Sequence, residues 1–244
     1  MLSVRQIEAL ITSLAKKYGG FYAYDKAIAL SILTQNSYNA FRQVTTGDLV
    51  ASELLGWTFF EGTLVSAAIT SEASNGAGSP LLRIVTPAAH NLTSDHIVCI
   101  NKANVLAHDK KTRVSIINGT TFDCTDIPYV SGAGASTATV NRPAYIKAAT
   151  GSAGTYSCGF SVSFNGVGAS SNGKRYRMEI NQNVTDCDWI SVEQTVQKYT
   201  DIQSMSVNGN IVIADGDKLW ISFANLDGVQ DINIKHLSVR INRI

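Results

Sequence analysis

Two pairs of aspartates are the residues whose type and spacing come closest to catalytic chemistry. Asp186 and Asp188 stand in TDCDW, and Asp215 and Asp217 stand in ADGDKLW. A glycosidase needs two carboxylates on opposite sides of a sugar. Each pair here is local and lies in a turn-like stretch, where Asp side chains hydrogen-bond to nearby backbone. We therefore expect turn residues and not a catalytic pair.

The histidines and cysteines form no catalytic or metal-binding pattern. There is no Cys-x-x-Cys pair, and no Gly-x-Ser-x-Gly elbow presents a nucleophile. Asp186 and Asp188 lack the loop of a calcium site. We expect no enzyme activity, no metal and no cofactor, and we expect the cysteines to be buried free thiols. The residues concerned are His90, His96, His108, His236, Cys99, Cys124, Cys158 and Cys187.

The composition narrows the classes of partner. The 244 residues carry a net charge of +1, which does not favour binding to nucleic acid. Charged residues are 16% of the chain, below the usual quarter or so. Low charge fits a surface occupied by neighbours in an assembly, and it equally fits a β-rich protein with uncharged strands.

The start of the chain does not read as a targeting segment. Glu8 and Thr12-Ser13 interrupt any apolar core of a secretory signal. No apolar run approaches the length of a membrane span, roughly 18 residues. We expect synthesis in a cytosol and no membrane insertion.

The first 56 residues are predicted to be mostly helical. Ser3 and Gln6 fit a capping box for a helix over 3–18. A nearly apolar helix is predicted over about 26–36, and a third helix over about 47–55. The apolar residues of the first helix recur at helical spacing and include Ile7, Leu10, Ile11 and Leu14.

From Trp57 onward the sequence indicates short strands. Residues 57–136 are predicted to form a small β module with a hairpin turn at Asn118-Gly119, followed by a linker at 131–136. Residues 137–244 show period-2 alternation, which is typical of antiparallel strands in a jelly-roll sandwich. The predicted inward residues are Phe160, Val162, Phe164, Tyr176, Met178, Ile180, Leu219, Ile221 and Phe223.

Trp220 alternates with the inward residues Leu219 and Ile221, and so is predicted to face outward. A large outward aromatic indicates an interface with another subunit or a ligand. A local cover of loop residues explains it equally well. Tyr199 and Trp189 are weaker candidates of the same kind.

The segments FSVSFNGVGASSNGKRYRMEINQN and VNGNIVIADGDKLWISFANLDGVQDINIKHLSVRINRI resemble the C-terminal jelly rolls of trimeric TNF-like or C1q-like proteins. Among such jelly rolls, the sequence pattern most resembles the versions found in bacteriophage virion proteins. Upstream, TPAAHNLTSDHIVCI followed by NGTTFDC resembles a small β module of phage structural proteins. In those proteins an AHGL-like turn precedes the strand. In this chain, Asn91 stands where that turn usually has Gly.

The resemblance implies a homotrimer with Trp220 and Tyr199 at subunit interfaces. It further implies a non-enzymatic virion structural protein, made in the host cytoplasm, that binds other capsid or tail proteins as a decoration protein or head fibre. The helical segment 1–56, through the apolar face of its first helix, would attach to the particle. The sequence has no collagen repeat or long heptad run, which argues against a fibre shaft.

Two alternatives remain open at the level of sequence. One is a receptor- or carbohydrate-binding tail-fibre knob, in which exposed Trp or Tyr side chains stack on a host-surface glycan. The other is a polysaccharide depolymerase that uses the aspartates at 186, 188, 215 and 217.

Overall fold

The computed structural model describes residues 3, 5, 18–23, 28–30, 39–40, 50–51, 54–103, 105–131 and 137–244. The side chains of residues 186, 188 and 189, and of most residues before 54, lie outside this description. The described residues include two short 3₁₀ helices, Leu106–His108 and Ala169–Ser171. Within the described part, no helix is long and apolar enough to cross a membrane.

Strands make up most of the described structure. In chain order they are β1 (Tyr18–Ala23), β2 (Ile28–Leu30), β3 (Asn39–Ala40), β4 (Val50–Ala51), β5 (Trp57–Phe60), β6 (Thr63–Ser66), β7 (Ser71–Ser74), β8 (Leu81–Val85), β9 (Ile97–Asn101), β10 (Lys111–Asn118), β11 (Thr121–Pro128), β12 (Thr139–Arg142), β13 (Tyr145–Ala148), β14 (Gly154–Gly166), β15 (Arg175–Gln182), β16 (Thr185–Thr195), β17 (Gln203–Ile213), β18 (Lys218–Asn225) and β19 (Ile232–Arg243).

Two antiparallel sheets form a sandwich. The first sheet has the order β17-β14-β19-β1-β4, with β2 also paired to β19. The second has the order β16-β15-β18-β13-β5, with β3 also paired to β18. All the predicted inward residues of the C-terminal segment are buried between these sheets. The prediction of a mainly β, antiparallel sandwich is therefore confirmed, because period-2 alternation places every second side chain in the core.

The prediction of a helical segment over 1–56 is wrong at the residues that the structure describes beyond Arg5. β2 falls inside the predicted helix 26–36 and pairs with β19, and β4 falls inside 47–55 and pairs with β1. An apolar run without polar interruption fits a strand buried on both faces as well as a buried helix. Of the first predicted helix, Arg5 is helical and Tyr18 begins β1. The other residues of that helix, including Ile7, Leu10, Ile11 and Leu14, lie outside the described ranges.

The middle of the chain forms a separate seven-stranded antiparallel sheet in the order β6-β12-β9-β10-β11-β8-β7. Its core contains Leu82, Ile84, Val98 and Phe122, which are fully buried. The β10–β11 hairpin forms as predicted, but its turn residues are Gly119 and Thr120, one position later than predicted, because Asn118 still pairs with Thr121. Neither Asn118 nor Gly119 has the positive φ expected of an Asn-Gly hairpin turn. We call this sheet and its loops, residues 63–142, the inserted module.

Strand pairing divides the chain differently from the consecutive units 1–56, 57–136 and 137–244. β1 pairs with β19 over six residues, from Tyr18↔Asn242 onward, and β5 pairs with β13. The sandwich therefore takes strands from both ends of the chain. The inserted module leaves and returns at adjacent points, since Phe60 pairs with Tyr145 and Thr63 pairs with Arg142.

Candidate functional site

Trp220 lies on the outer face of the second sheet, opposite the sandwich core, as its alternation predicts. The inserted module of the same chain covers it completely, through Ile97 and Cys99, beside Tyr145. Its indole Nε1 donates a hydrogen bond to the Asn183 carbonyl at 2.7 Å. Because Trp220 is 0% exposed, its side chain is not available to a second subunit. The cover is a folded module, which neither sequence explanation foresaw.

Ion pairs reinforce this junction. The Asp95 carboxylate, at the tip of a module loop, accepts hydrogen bonds from Lys147 Nζ at 2.5 Å and Lys218 Nζ at 2.9 Å. Both lysines belong to the second sheet of the sandwich. Partial burial opposes ionisation of Asp95, but the two lysines outweigh it and hold the pKa of the carboxyl below its ordinary value.

A buried polar row crosses the same junction. Lys111 Nζ, from the module, donates to Asn181 Oδ1 of the sandwich. Asn181 Nδ2 donates to Ser222 Oγ at 2.9 Å, and Ser222 Oγ donates to Glu179 Oε1 at 3.3 Å. Lys111 Nζ also lies 5.5 Å from the centroid of the Trp220 ring. An amine, a carboxamide, a hydroxyl and a carboxyl thus form a continuous hydrogen-bonded row that is shielded from bulk water.

The outer face of the first sheet differs in chemistry from that of the second. β14 and β17 contain no charged residue, and their outward side chains are small and mostly polar. Opposite Gly159, the side chain of Asn208 occupies the space that a Cβ would need. The outward residues of these two strands are Thr155, Ser157, Gly159, Ser161, Ser163, Asn165, Ser204, Ser206, Asn208, Asn210 and Val212.

Tyr199 lies at the end of the sandwich formed by loops 167–174, 196–202 and 226–231. It is half-buried, and its backbone is fixed by Asn172 and Asn165, whose side chains bond its N–H and its carbonyl. Val167, Ile202 and Val229 are exposed at the same end. The backbone of Trp189 lies in β16, and its side chain is outside the described part.

Asp215 and Asp217 are turn residues, as expected from the sequence. The Asp215 carboxylate accepts hydrogen bonds from three consecutive backbone N–H groups, residues 151–153, at 2.8–2.9 Å. These bonds favour the charged form and lower the pKa of Asp215. Asp217 accepts hydrogen bonds from Gln182, Asn183 and the Ala214 N–H. The side chains of the other pair, at 186 and 188, are outside the description.

Two histidines hold the loops of the inserted module. His90 Nε2 donates to the Asn118 carbonyl at 2.8 Å, and its Nδ1 accepts from the Leu92 N–H at 3.0 Å. His108 Nδ1 donates to Glu72 at 2.7 Å, and its Nε2 accepts from the Val130 N–H at 3.1 Å. All four ring nitrogens are therefore engaged in structural hydrogen bonds.

The cysteines are free and buried, which confirms the expectation. Burial raises the pKa of Cys99 to about 12, against the opposing charge of Lys111, and raises that of Cys158 to about 12. Thiols of this kind are not reactive nucleophiles. Among the described residues, no three His, Cys, Asp or Glu side chains come together as possible metal ligands.

The fold thus defines an antiparallel β-sandwich with a β module inserted between two of its strands. No protein-family model and no curated protein matches the sequence. Among solved structures, the chain is similar to Eiger TNF from S. frugiperda, with 11% identity and a TM-score of 0.31. That match covers 72% of this chain and 93% of the other.

Proposed function

We propose that this chain is a non-enzymatic structural protein of a bacteriophage virion. It assembles as a homotrimer and attaches to the capsid or tail as a decoration protein or head fibre. The sequence resemblances of the C-terminal strands and of the module to phage virion proteins motivate this proposal. The outer face of the first sheet is the structural observation that carries it.

This face is suited to packing against copies of itself. β14 and β17 pair along eleven residues, from Gly154↔Ile213 to Phe164↔Gln203, and give a two-stranded surface without charge. Exposed Arg240 of β19, which pairs with Gly159, borders this surface. Small side chains allow close approach between sheets, and removal of Ser or Asn from water costs far less than removal of a charge. A cyclic trimer would use one such surface three times. The second sheet has no comparable free face near Trp220, because the inserted module covers it.

Attachment to the particle is assigned to the start of the chain. The apolar residues at 7, 10, 11 and 14 form the candidate anchoring face in this proposal. The inserted module would then stand on the outside of each subunit, where it adds contact area toward neighbouring virion proteins.

The oligomeric state tests the trimer. Native mass spectrometry of the full chain should give three copies of the 26.2 kDa polypeptide. Ser161→Glu places a charge in the middle of the face, between Ser206 and Ser238, and should yield monomers with an unchanged circular dichroism spectrum. Ser170→Glu, at the exposed end loop, is the matched control and should remain trimeric. A monomeric wild-type chain would contradict the proposal.

The position on the particle is tested separately. Particles from a host that produces this chain, imaged by electron microscopy with an antibody against it, should carry label on the head or the tail at sites of three-fold symmetry. Absence of the chain from purified particles would contradict the virion assignment and leave the trimer intact.

The exposed end loops favour a second candidate function, binding of a host receptor or glycan. Val167, Ile202 and Val229 are 42%, 62% and 52% exposed, and Tyr199 in the same set of loops is half-buried. An aromatic ring in loops that also expose apolar side chains suits stacking on a sugar. A glycan array probed with the full chain should show binding that Tyr199→Ala abolishes and Val212→Ala leaves intact. Absence of any bound glycan would remove this function.

A further inference from the structure

The buried polar row at the junction brings together the groups needed to form an amide bond. We propose that Lys111 and Asn181 join in an intramolecular isopeptide bond, which ties the inserted module covalently to the sandwich. The bond links the side chains of two residues that are 70 positions apart in sequence. This inference does not depend on the virion proposal.

The strand register places the reacting groups. Asn181 pairs with Trp220 and Glu179 pairs with Ser222 on the neighbouring strand, so all four side chains stand on the outer face of the second sheet. Lys111 is the first residue of β10 in the module. Its side chain lies against this face and donates a hydrogen bond to the Asn181 side chain. The amine and the carboxamide therefore belong to two different folded units and meet only after both have formed.

The site is shielded from water. Asn181 and Ser222 are 0% exposed, Glu179 is 1% exposed and Lys111 is 9% exposed. Burial disfavours an ammonium and a carboxylate alike, so a proton can pass from the Lys111 ammonium to the Glu179 carboxylate and leave both groups neutral. A neutral amine is a nucleophile, and exclusion of water protects the carboxamide from hydrolysis in its place.

The reaction balances without any added reagent. The lone pair of Lys111 Nζ attacks Asn181 Cγ, and an Nζ–Cγ bond forms. The Cγ–Nδ2 bond breaks, and Nδ2 leaves as ammonia with its own two hydrogens and one that comes from Nζ. Nothing is oxidised or reduced, and no cofactor takes part. Holding both groups in contact converts a slow bimolecular step into an intramolecular one.

Ser222 and Glu179 provide the proton path to the leaving group. Ser222 Oγ accepts a hydrogen bond from Asn181 Nδ2, the atom that must be protonated before it departs. Ser222 in turn donates to Glu179. Attack on Cγ frees the lone pair of Nδ2, and both hydrogen bonds then reverse, so that Ser222 gives its proton to Nδ2 and takes one from protonated Glu179. A general acid placed at a leaving nitrogen is the usual requirement of amide exchange.

The intact mass of the denatured full-length protein tests the bond directly. The wild-type chain should weigh less than its sequence by one ammonia molecule. Digestion should yield one branched peptide that contains Lys111 and Asn181, with no tryptic cleavage after Lys111. Lys111→Arg keeps a long basic side chain but removes the nucleophilic amine, and should restore the full mass. Lys110→Arg, at the exposed neighbouring lysine, should keep the deficit.

Two further variants separate chemistry from folding. Asn181→Asp should react by loss of water and give a product of the same mass as the wild-type product. Glu179→Gln should fold, as judged by circular dichroism, but retain its full mass, and Glu179→Asp should restore a slower loss of ammonia. A folded wild-type chain of full mass after prolonged incubation would overturn the proposal and would leave a hydrogen bond only.

Discussion

At the scale of single residues, His90 joins two segments of the inserted module that are separate in sequence. The loop after β8 and the tip of the β10–β11 hairpin meet at this side chain, which bonds the Asn118 carbonyl and the Leu92 N–H. The ring also packs edge-on against Phe122, with centroids 5.4 Å apart. The following residue, Asn91, has a φ of 51°, a left-handed conformation in which Asn is tolerated and Gly is favoured.

Removal of the His90 ring should destabilise the inserted module. His90→Ala leaves the part-buried Asn118 carbonyl and the buried Leu92 N–H without their partner, which costs about 1–3 kcal/mol. At the next position, Asn91→Val should cost about 1–2 kcal/mol because a β-branched residue is strained at positive φ. Asn91→Gly is the matched control and should be close to neutral. Urea unfolding measures all three, and an unchanged midpoint for His90→Ala would contradict the assigned role.

Asp215 should make stability depend on acid. Its pKa is lowered from 3.8 in the folded state by the three backbone N–H groups it accepts. A group with a depressed folded pKa stabilises above its unfolded pKa, and this contribution is lost as the pH falls from near 3.8 through the lower folded value. Asp215→Asn should therefore flatten the fall of the unfolding free energy in this acid range.

Denaturant titrations at several pH values test this dependence on Asp215. Asp201→Asn is a control, since that carboxylate accepts a hydrogen bond from the Thr200 hydroxyl and not from a backbone cradle. If the unfolding free energies of wild type and Asp215→Asn fell in parallel below neutral pH, the hydrogen bonds to Asp215 would not be the source of the acid dependence.

At the scale of elements, periodicity predicted the C-terminal strands because each has one buried and one solvated face. β14 alternates Phe160, Val162 and Phe164 with serines, and every predicted inward residue is in the core. The same signal was ambiguous for the short apolar runs before residue 54. β18 was predicted correctly on both faces, yet the cover of Trp220 was not, because a contact between a sheet and an inserted module leaves no periodic trace in sequence.

Excision of the module is the test of this architecture. Phe60 and Tyr145 are paired across adjacent antiparallel strands, so a two-residue Asn-Gly turn can join them in place of residues 61–144. The shortened chain should fold into the sandwich. Its tryptophan emission should shift to longer wavelength because Trp220 becomes exposed to solvent. The fragment 137–244 lacks β1 and β5 and should fail to fold. Cooperative unfolding of that fragment, as measured by circular dichroism, would contradict the pairing.

At the scale of the whole molecule, the two sheets of the sandwich have outer faces of different chemistry. The second sheet is sealed by the inserted module through Trp220, the Asp95 ion pairs and the Lys111–Asn181 contact. The first sheet presents uncharged Ser, Asn and Gly side chains along β14 and β17. A module fixed rigidly on one face leaves the other face for subunit contacts, which is the arrangement that the trimer proposal requires.

This arrangement predicts that module and sandwich unfold together. Trp220 is the largest fully buried side chain of the molecule's described part, and its truncation to Ala should cost about 3–5 kcal/mol. Most of that loss falls on the contact between the two units, so calorimetry should show one transition for the parent chain and two for Trp220→Ala. The comparison belongs in a Lys111→Arg background, where no covalent link can hold the units together. Val212→Ala, at a side chain that is 72% exposed, is the control and should keep the single transition. Two transitions in the parent itself would mean that the units are independent, and that the Trp220 face contributes little to their coupling.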